Sequence, residues 1–218
     1  MSTIEVTDRR PIASIFRQLA TRPVRWCVNL GIHPNVVSVA SLAASATAAV
    51  CFGFAGFQPH LVFVGVALCF LRLYFNMLDG MVAVAANRVS ATGEIANELP
   101  DRISDVLIFT AVSYGMMSVP TLGFWCAILS VLVAYVGTLG KAVGVHRDFS
   151  GPMSKPWRVV VLCMGVLATF WQVSRSNASP MATITPVDIA CLVVAVGCVI
   201  TVIRRLVRIV SALHCQNK

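Results

Sequence analysis

Six apolar runs, each near 20 residues, follow one another along the chain at 36–56, 61–83, 95–118, 121–142, 157–174 and 186–203. Each is long enough to cross the ~30 Å hydrocarbon core of a bilayer as a helix. Inside lipid every backbone polar group must find a partner within its own segment, which a helix provides. The predicted fold is therefore all-α: a polytopic membrane protein with six transmembrane helices joined by short connections. Composition agrees. Hydrophobic residues reach 57% and charged residues only 12%, against roughly 45–50% and 25% in an average globular chain. A disordered chain, a small secreted disulfide scaffold and an ordinary cytosolic enzyme are all excluded. Six of the eight cysteines (Cys51, Cys69, Cys126, Cys163, Cys191, Cys198) fall inside the apolar runs, without a CxxC or Cys/His cluster. They read as small core residues.

Ahead of the first run, Ile12, Ile15, Phe16 and Leu19 are spaced as one helical face, flanked by Arg10, Arg17 and Arg22. This predicts an N-terminal amphipathic helix lying in the membrane interface, limited by Pro23. Three parts follow: an N-terminal segment at 1–35, the six-helix domain at 36–203 and a basic tail at 204–218.

The net charge of +8 is a matter of topology. Arg9, Arg10, Arg17, Arg22, Arg25, Arg88, Lys141, Arg147, Lys155, Arg158, Arg204, Arg205, Arg208 and Lys218 all fall on one side of a six-span layout, and only Arg175 on the other. Positive flanks stay inside. The expectation is an integral protein of the bacterial inner (cytoplasmic) membrane, with both termini and the active site facing the cytoplasm and no nucleic-acid partner.

Acids are few and clustered: Asp79, Glu94, Glu98, Asp101 and Asp105 are five of nine. A carboxylate at a helix centre costs roughly 2.5–3.5 kcal/mol on insertion scales, so such a cluster points to a functional site. Asn76 and Asp79 are spaced i, i+3 at the end of span two. Asn97, Asp101 and Asp105 are spaced i, i+4, i+8 on span three, with Glu98 three residues before Asp101. Each set can share one helical face. Two antiparallel helices would join the sets, and hard oxygen ligands from two helices suit Mg²⁺ or Mn²⁺. Gly80 and Gly93 allow close approach. Pro100 is expected to bend or restart span three. Arg72 reads either as a partner of the acids or as a substrate contact, and Arg102 as pointing away from its neighbour Asp101.

These residues resemble the CDP-alcohol phosphatidyltransferase family, whose pattern is D-x2-D-G-x2-A-R-x8-G-x3-D-x3-D. The chain reads Asn76-Met-Leu-Asp79-Gly80-Met-Val-Ala83-Val84, then Gly93-x3-Asn97-x3-Asp101. His33-Pro34-Asn35 before span one and Gly151-Pro152-x-x-Lys155 after span four are also similar. The departures are Asn76 and Asn97 in place of aspartates and Val84 in place of the arginine. Glu98 and Asp105 stand nearby as extra acids, and Arg88 as a substitute cation.

The resemblance implies transfer of a phosphatidyl group from a CDP-linked lipid, CDP-diacylglycerol, to an alcohol, with release of CMP, in phospholipid biosynthesis. Asn76, Asp79, Asn97, Glu98 and Asp101 would hold the metal. Asp101, with Asp105 in reserve, would be the base. Gly80, Ala83, Arg88 and Gly93 would pack on the nucleotide. Arg147, Lys155 and Arg158, on the active side with Asp148 and the Gly151-Pro152 turn, would bind an anionic acceptor such as a polyol phosphate. Membrane lipids surround the protein, and the family implies a homodimer. The competing readings are a scaffold of the same fold without catalysis, and a transporter using intramembrane carboxylates. The acid cluster lies in one half of the chain, which disfavours the inverted repeats of a transporter.

The charge bias makes a topological prediction. In intact cells a membrane-impermeant thiol reagent should label a Ser179→Cys variant and miss Cys215. Reversed labelling would refute the six-span layout.

Overall fold

The computed structural model describes residues 21–88, 90–145, 151–176 and 184–216. The expected interfacial helix over Ile12–Leu19, Arg147, Asp148 and Ser179 lie outside these residues. Within them the protein is helical, with no strand. The helices are α1 (21–29), α2 (Pro34–Gly53), α3 (Leu61–Ala85), α4 (Ala91–Met116), α5 (Pro120–Ala142), α6 (Lys155–Ser176) and α7 (Pro186–Gln216).

Local chemistry sets the ends. His33 accepts the Asn35 N–H at 3.3 Å and Pro34 occupies the first turn, so His33-Pro34-Asn35 starts α2. The Ser90 hydroxyl caps α4 by accepting the Gly93 N–H at 3.0 Å. Helices α1, α3 and α5 end alike. Gly31, Asn87 and Gly144 have φ of +68°, +53° and +81°, and the next N–H reaches back to Cys27, Ala83 and Gly140 carbonyls at 2.9 Å. At the opposite end of the bundle, Asp188 in the first turn of α7 accepts from the Ser118 and Thr185 hydroxyls and from the Val119 N–H. That one carboxylate ties the α4–α5 connection to α7.

The main packing contacts run α3–α2–α4–α5–α7–α6 and back to α3, a closed ring of six helices. Its core is filled by Phe52, Val66, Ile108, Phe109, Val112, Leu162, Val166, Val194 and neighbours, with Cys69, Cys126, Cys163, Cys191 and Cys198 among them. All six cysteines read from the sequence as core are buried and carry free thiols. A smaller cluster of Val24, Cys27, Val37, Leu78 and Val82 docks α1 against α2 and α3.

Several expectations change. Pro23 does not end a helix, since residues 21–29 are helical around it. Pro100 sits inside an unbroken α4. The stretch from residue 204 is not a separate tail: α7 runs through it to Gln216. Five described helices, α2, α3, α5, α6 and α7, are long and apolar enough to cross a membrane. Helix α4 is not among them, because it carries Glu94, Glu98, Asp101, Arg102 and Asp105 between residues 94 and 105.

Helices α2 and α4 cross closely at Gly115, where an added Cβ would lie 1.9 Å from the Phe52 carbonyl oxygen. A Cβ at Gly80 would meet nothing within 4 Å. Gly115→Ala should therefore lower stability by about 1–3 kcal/mol, read as an earlier thermal transition in detergent, whereas Gly80→Ala should not.

Candidate active site

The site forms where the polar half of α4 meets the ends of α2, α3 and α6. Ser38, Ser41 and Ser45 lie at i, i+3, i+7 on α2 and are all buried. The Ser38 hydroxyl donates to Asp79 Oδ2 at 2.7 Å, and the Ser41 hydroxyl sits 2.7 Å from Asn76 Oδ1. From α4, Asn97 Nδ2 donates to Asp79 Oδ1 at 3.4 Å. One turn along, the Asp101 carboxylate accepts from the Lys155 ammonium at the start of α6. The expected convergence of the two helical sets is thus present, with α2 serines and an α6 lysine added. Beside them opens a cavity of about 530 Å³, lined by Asn76, Asn97, Glu98, Asp101, Lys155, Arg158 and Arg205 among others.

Deeper in the bundle, Asp105 holds two guanidinium groups. Arg72 of α3 pairs with Oδ1 at 2.7 Å and Arg158 of α6 with Oδ2 at 2.8 Å. All three side chains are nearly inaccessible, 1–2% exposed. Arg72 also donates to the Asp101 carbonyl at 3.2 Å, and Arg158 to the Met153 carbonyl at 3.3 Å. Asp105 is thereby the counter-ion of a buried triad and is absent from the cavity wall, so it is poorly placed as a reserve base. Arg72 is a partner of the acids. Arg158 lines the cavity, but its head group serves Asp105.

The remaining expected residues divide. Glu98, expected as a metal ligand, lies on the cavity and pairs with Arg102 at 3.1 Å. Arg102 does not point away from Asp101. Its long side chain folds back to within 3.8 Å of both Asp101 and Asp105. Gly80 is exposed with open space above it. Gly93 serves the α4 cap, since a Cβ there would lie 3.1 Å from Ser90 Oγ. Arg88 is exposed in the α3–α4 connection, and its backbone N–H closes α3 on the Ala83 carbonyl. Neither Arg88 nor Ala83 lines the cavity. Sequence reasoning missed Ser38, Ser41 and Arg205. The spacing of three serines within an apolar run was the available signal for the first two. Arg205 was assigned to a tail, whereas continuous α7 carries it to the cavity, where Nη1 donates to the Val133 carbonyl at 2.8 Å.

The donor set can be tested for a hard cation. Among the described residues no three His, Cys, Asp or Glu side chains converge as a ligand group. The donors are two carboxylates, Asp79 and Asp101, supplemented by the Asn76 and Asn97 amides. Asn76 Nδ2 is buried without a partner. Turning that amide over, an assignment open at the level of hydrogen-bond networks, lets Nδ2 donate to Ser41 Oγ. Ser41 can then donate to the Arg72 carbonyl, 3.4 Å away. The amide oxygen takes the unpartnered position as one more oxygen ligand. An all-oxygen set of this kind fits Mg²⁺ or Mn²⁺.

Comparisons with known proteins show the family and the fold. The sequence model of the CDP-alcohol phosphatidyltransferase family matches residues 31–215. Inner membrane protein YnbA of Escherichia coli K12 is 27% identical over 72% of this chain and 78% of its own length. Phosphatidylinositol phosphate synthase of Mycobacteroides abscessus is 28% identical over 73% of this chain and 71% of its own. The fold is shared with the Mycobacterium tuberculosis phosphatidylinositol phosphate synthase. Its crystal structure with CDP-DAG bound superposes with a TM-score of 0.70 at 21% identity, covering 88% of this chain and 94% of that one. Its complex with manganese and citrate gives 0.69 at 23% identity, covering 87% and 88%.

Removing one partner of a buried ion pair typically costs 3–5 kcal/mol, because a charge is left uncompensated. Asp105→Ala strands two guanidiniums and should unfold at markedly lower temperature in detergent. Asp101→Asn, which keeps its shape at the cavity edge, should shift the transition far less.

Proposed function

The chain belongs to the CDP-alcohol phosphatidyltransferase family, and we propose that it transfers the phosphatidyl group of CDP-diacylglycerol to an alcohol bearing a phosphate, releasing CMP. The observation that carries this reading is the meeting of Asn76 and Asp79 on α3 with Asn97 and Asp101 on α4, beside a cavity whose wall is cationic. Asp101 is the base: it lines the cavity and takes the proton of the acceptor hydroxyl. The acceptor oxygen then bonds to the phosphorus that carries the diacylglycerol, and the bond to CMP breaks. Asp79, held by Ser38 and Asn97, is the fixed carboxylate. Asp79, Asp101 and the amide oxygens of Asn76 and Asn97 would hold Mg²⁺ or Mn²⁺, which when bound neutralises charge on the pyrophosphate as a Lewis acid.

Lys155 and Arg205 give the cavity its positive wall, with the Arg158 stem beside them and its head group on Asp105. Arg147 lies between α5 and α6 in sequence, outside the described residues. Arginine meets a phosphate through paired hydrogen bonds and lysine as a point charge. This chemistry supports an anionic acceptor such as a polyol phosphate, in keeping with the names of the mycobacterial relatives. Helix α4 is the sixth span in this reading. Its 26 residues extend about 39 Å at 1.5 Å each, enough to cross the bilayer with its charges turned to the bundle. The cavity then faces the cytoplasm, where the basic ends lie.

The test is CMP release from CDP-diacylglycerol by purified protein in lipid with Mg²⁺, across a panel of charged and uncharged alcohols. Asp79→Asn and Asp101→Asn should each lose at least ~10²-fold in rate while shifting the melting transition far less than Asp105→Ala does. Full activity in either variant, or no CMP release with any alcohol, would overturn the proposal.

A further inference from the structure

The charges around the site are already balanced by the protein's own side chains. Asp79, Glu98, Asp101 and Asp105 are the carboxylates of the inner cluster, and Arg72, Arg102, Lys155 and Arg158 face them. At the cavity edge Glu94 pairs with Lys141 at 2.7 Å, and Arg205 adds a further positive charge. The neighbourhood is therefore neutral to positive before any metal enters. The two positions where the family pattern has aspartate hold neutral Asn76 and Asn97, which lowers the negative charge on the donors themselves. Affinity for a hard divalent cation depends on the charge count of its ligands. Here two carboxylates supply it, and one of them, Asp101, already holds an ammonium ion.

We propose that Lys155 is a resident counter-ion that keeps the free site from retaining a divalent cation, so that metal and CDP pyrophosphate enter as a coupled pair. The inference rests on the reading of this cavity as a CDP-lipid site and adds an order of assembly to it. A divalent ion alone must compete with Lys155 for Asp101 and leaves the cluster with excess positive charge. A pyrophosphate alone meets cations but also the Asp79 and Asp101 carboxylates. Together they restore neutrality, because the pyrophosphate brings the negative charge that the cluster lacks. Lys155 reaches the cavity from the first residue of α6, so its side chain has room to leave Asp101 without moving the helix. Arg72 and Arg158 have no such freedom, being buried on Asp105.

Thermodynamic linkage makes this measurable without turnover. If pyrophosphate strengthens metal binding by some factor, the metal strengthens pyrophosphate binding by the same factor. The probes are Mn²⁺, followed by the loss of its free electron-paramagnetic-resonance signal, and CDP, followed by calorimetry, both with the full chain in lipid nanodiscs. For the wild type, saturating CDP should tighten Mn²⁺ binding at least tenfold, and saturating Mn²⁺ should tighten CDP binding equally. Lys155→Gln should bind Mn²⁺ alone at least tenfold tighter than the wild type and show a smaller coupling factor. Lys155→Arg, which keeps the charge, should behave as the wild type does, and this separates a counter-ion role from a loss of folding. Wild-type Mn²⁺ affinity that is the same with and without CDP would overturn the coupling. Unchanged metal affinity in Lys155→Gln would overturn the role of Lys155. Failure of CDP to bind even at saturating Mn²⁺ would remove the nucleotide reading together with the inference. Intact coupling with no CMP release in any acceptor assay would keep the inference and remove only the transfer reaction.

Discussion

The Asp105 carboxylate between Arg72 and Arg158 joins three helices, two of them consecutive and the third far along the chain. It fixes α3, α4 and α6 at one depth in the bundle. A buried ion pair adds little net stability compared with apolar packing of the same shape, because desolvating the charges offsets their attraction. What it does impose is register. Sliding α4 by one turn would leave two guanidiniums without a carboxylate. The same register sets Asp101, one turn before Asp105, at the cavity edge. It also brings Asn97, two turns before, to Asp79. The position of the candidate base thus follows from a charge pairing that has no direct part in the chemistry.

Above that triad the site is softened compared with the family pattern. Asn76 and Asn97 keep oxygen donors but drop two charges, while Ser38 and Ser41 on α2 hold Asp79 and Asn76 in place by hydrogen bonds. Helix α2 thereby acts as a backing wall for α3. Its serines satisfy polar groups that would otherwise be buried without partners, at a cost of roughly 1–3 kcal/mol each.

The parts of this arrangement legible in the sequence were those with a local period. Apolar runs near 20 residues marked the helices. The i, i+4, i+8 spacing of Asn97, Asp101 and Asp105 put them on one face, and the Asp79–Gly93–Asp101 spacing carried the family resemblance. What stayed hidden depended on partners far along the chain. Asp105 looked like Asp101 by spacing alone; only the arrival of Arg72 and Arg158 separates a counter-ion from a base. Arg205 looked like a topology residue because hydropathy falls near residue 203, yet hydrogen bonding carries α7 onward. Pro100 looked like a break, but in the first half of a helix packed on two sides, neighbours hold the backbone that the missing N–H leaves slack. Arg102 was misread by treating a long side chain as a direction fixed at Cβ.

Helix α4 carries the sharpest consequence of this. By hydropathy it is not a membrane helix, since each charge facing lipid would cost roughly 2.5–3.5 kcal/mol at the bilayer centre. Its acids are instead met from three directions: Arg72 of α3, Lys155 and Arg158 of α6, and Lys141 at the end of α5. Beyond Asp105 the helix turns mainly apolar, with Ile108, Phe109 and Val112 in the common core. In the proposed six-span arrangement such a helix is stable in the membrane only as part of the assembled ring. The residues that make it unfit to insert alone are the ones that build the site. The polar centre of this protein is therefore a condition of its fold, and the fold tolerates it because every inner-cluster carboxylate of α4 has a cation within reach.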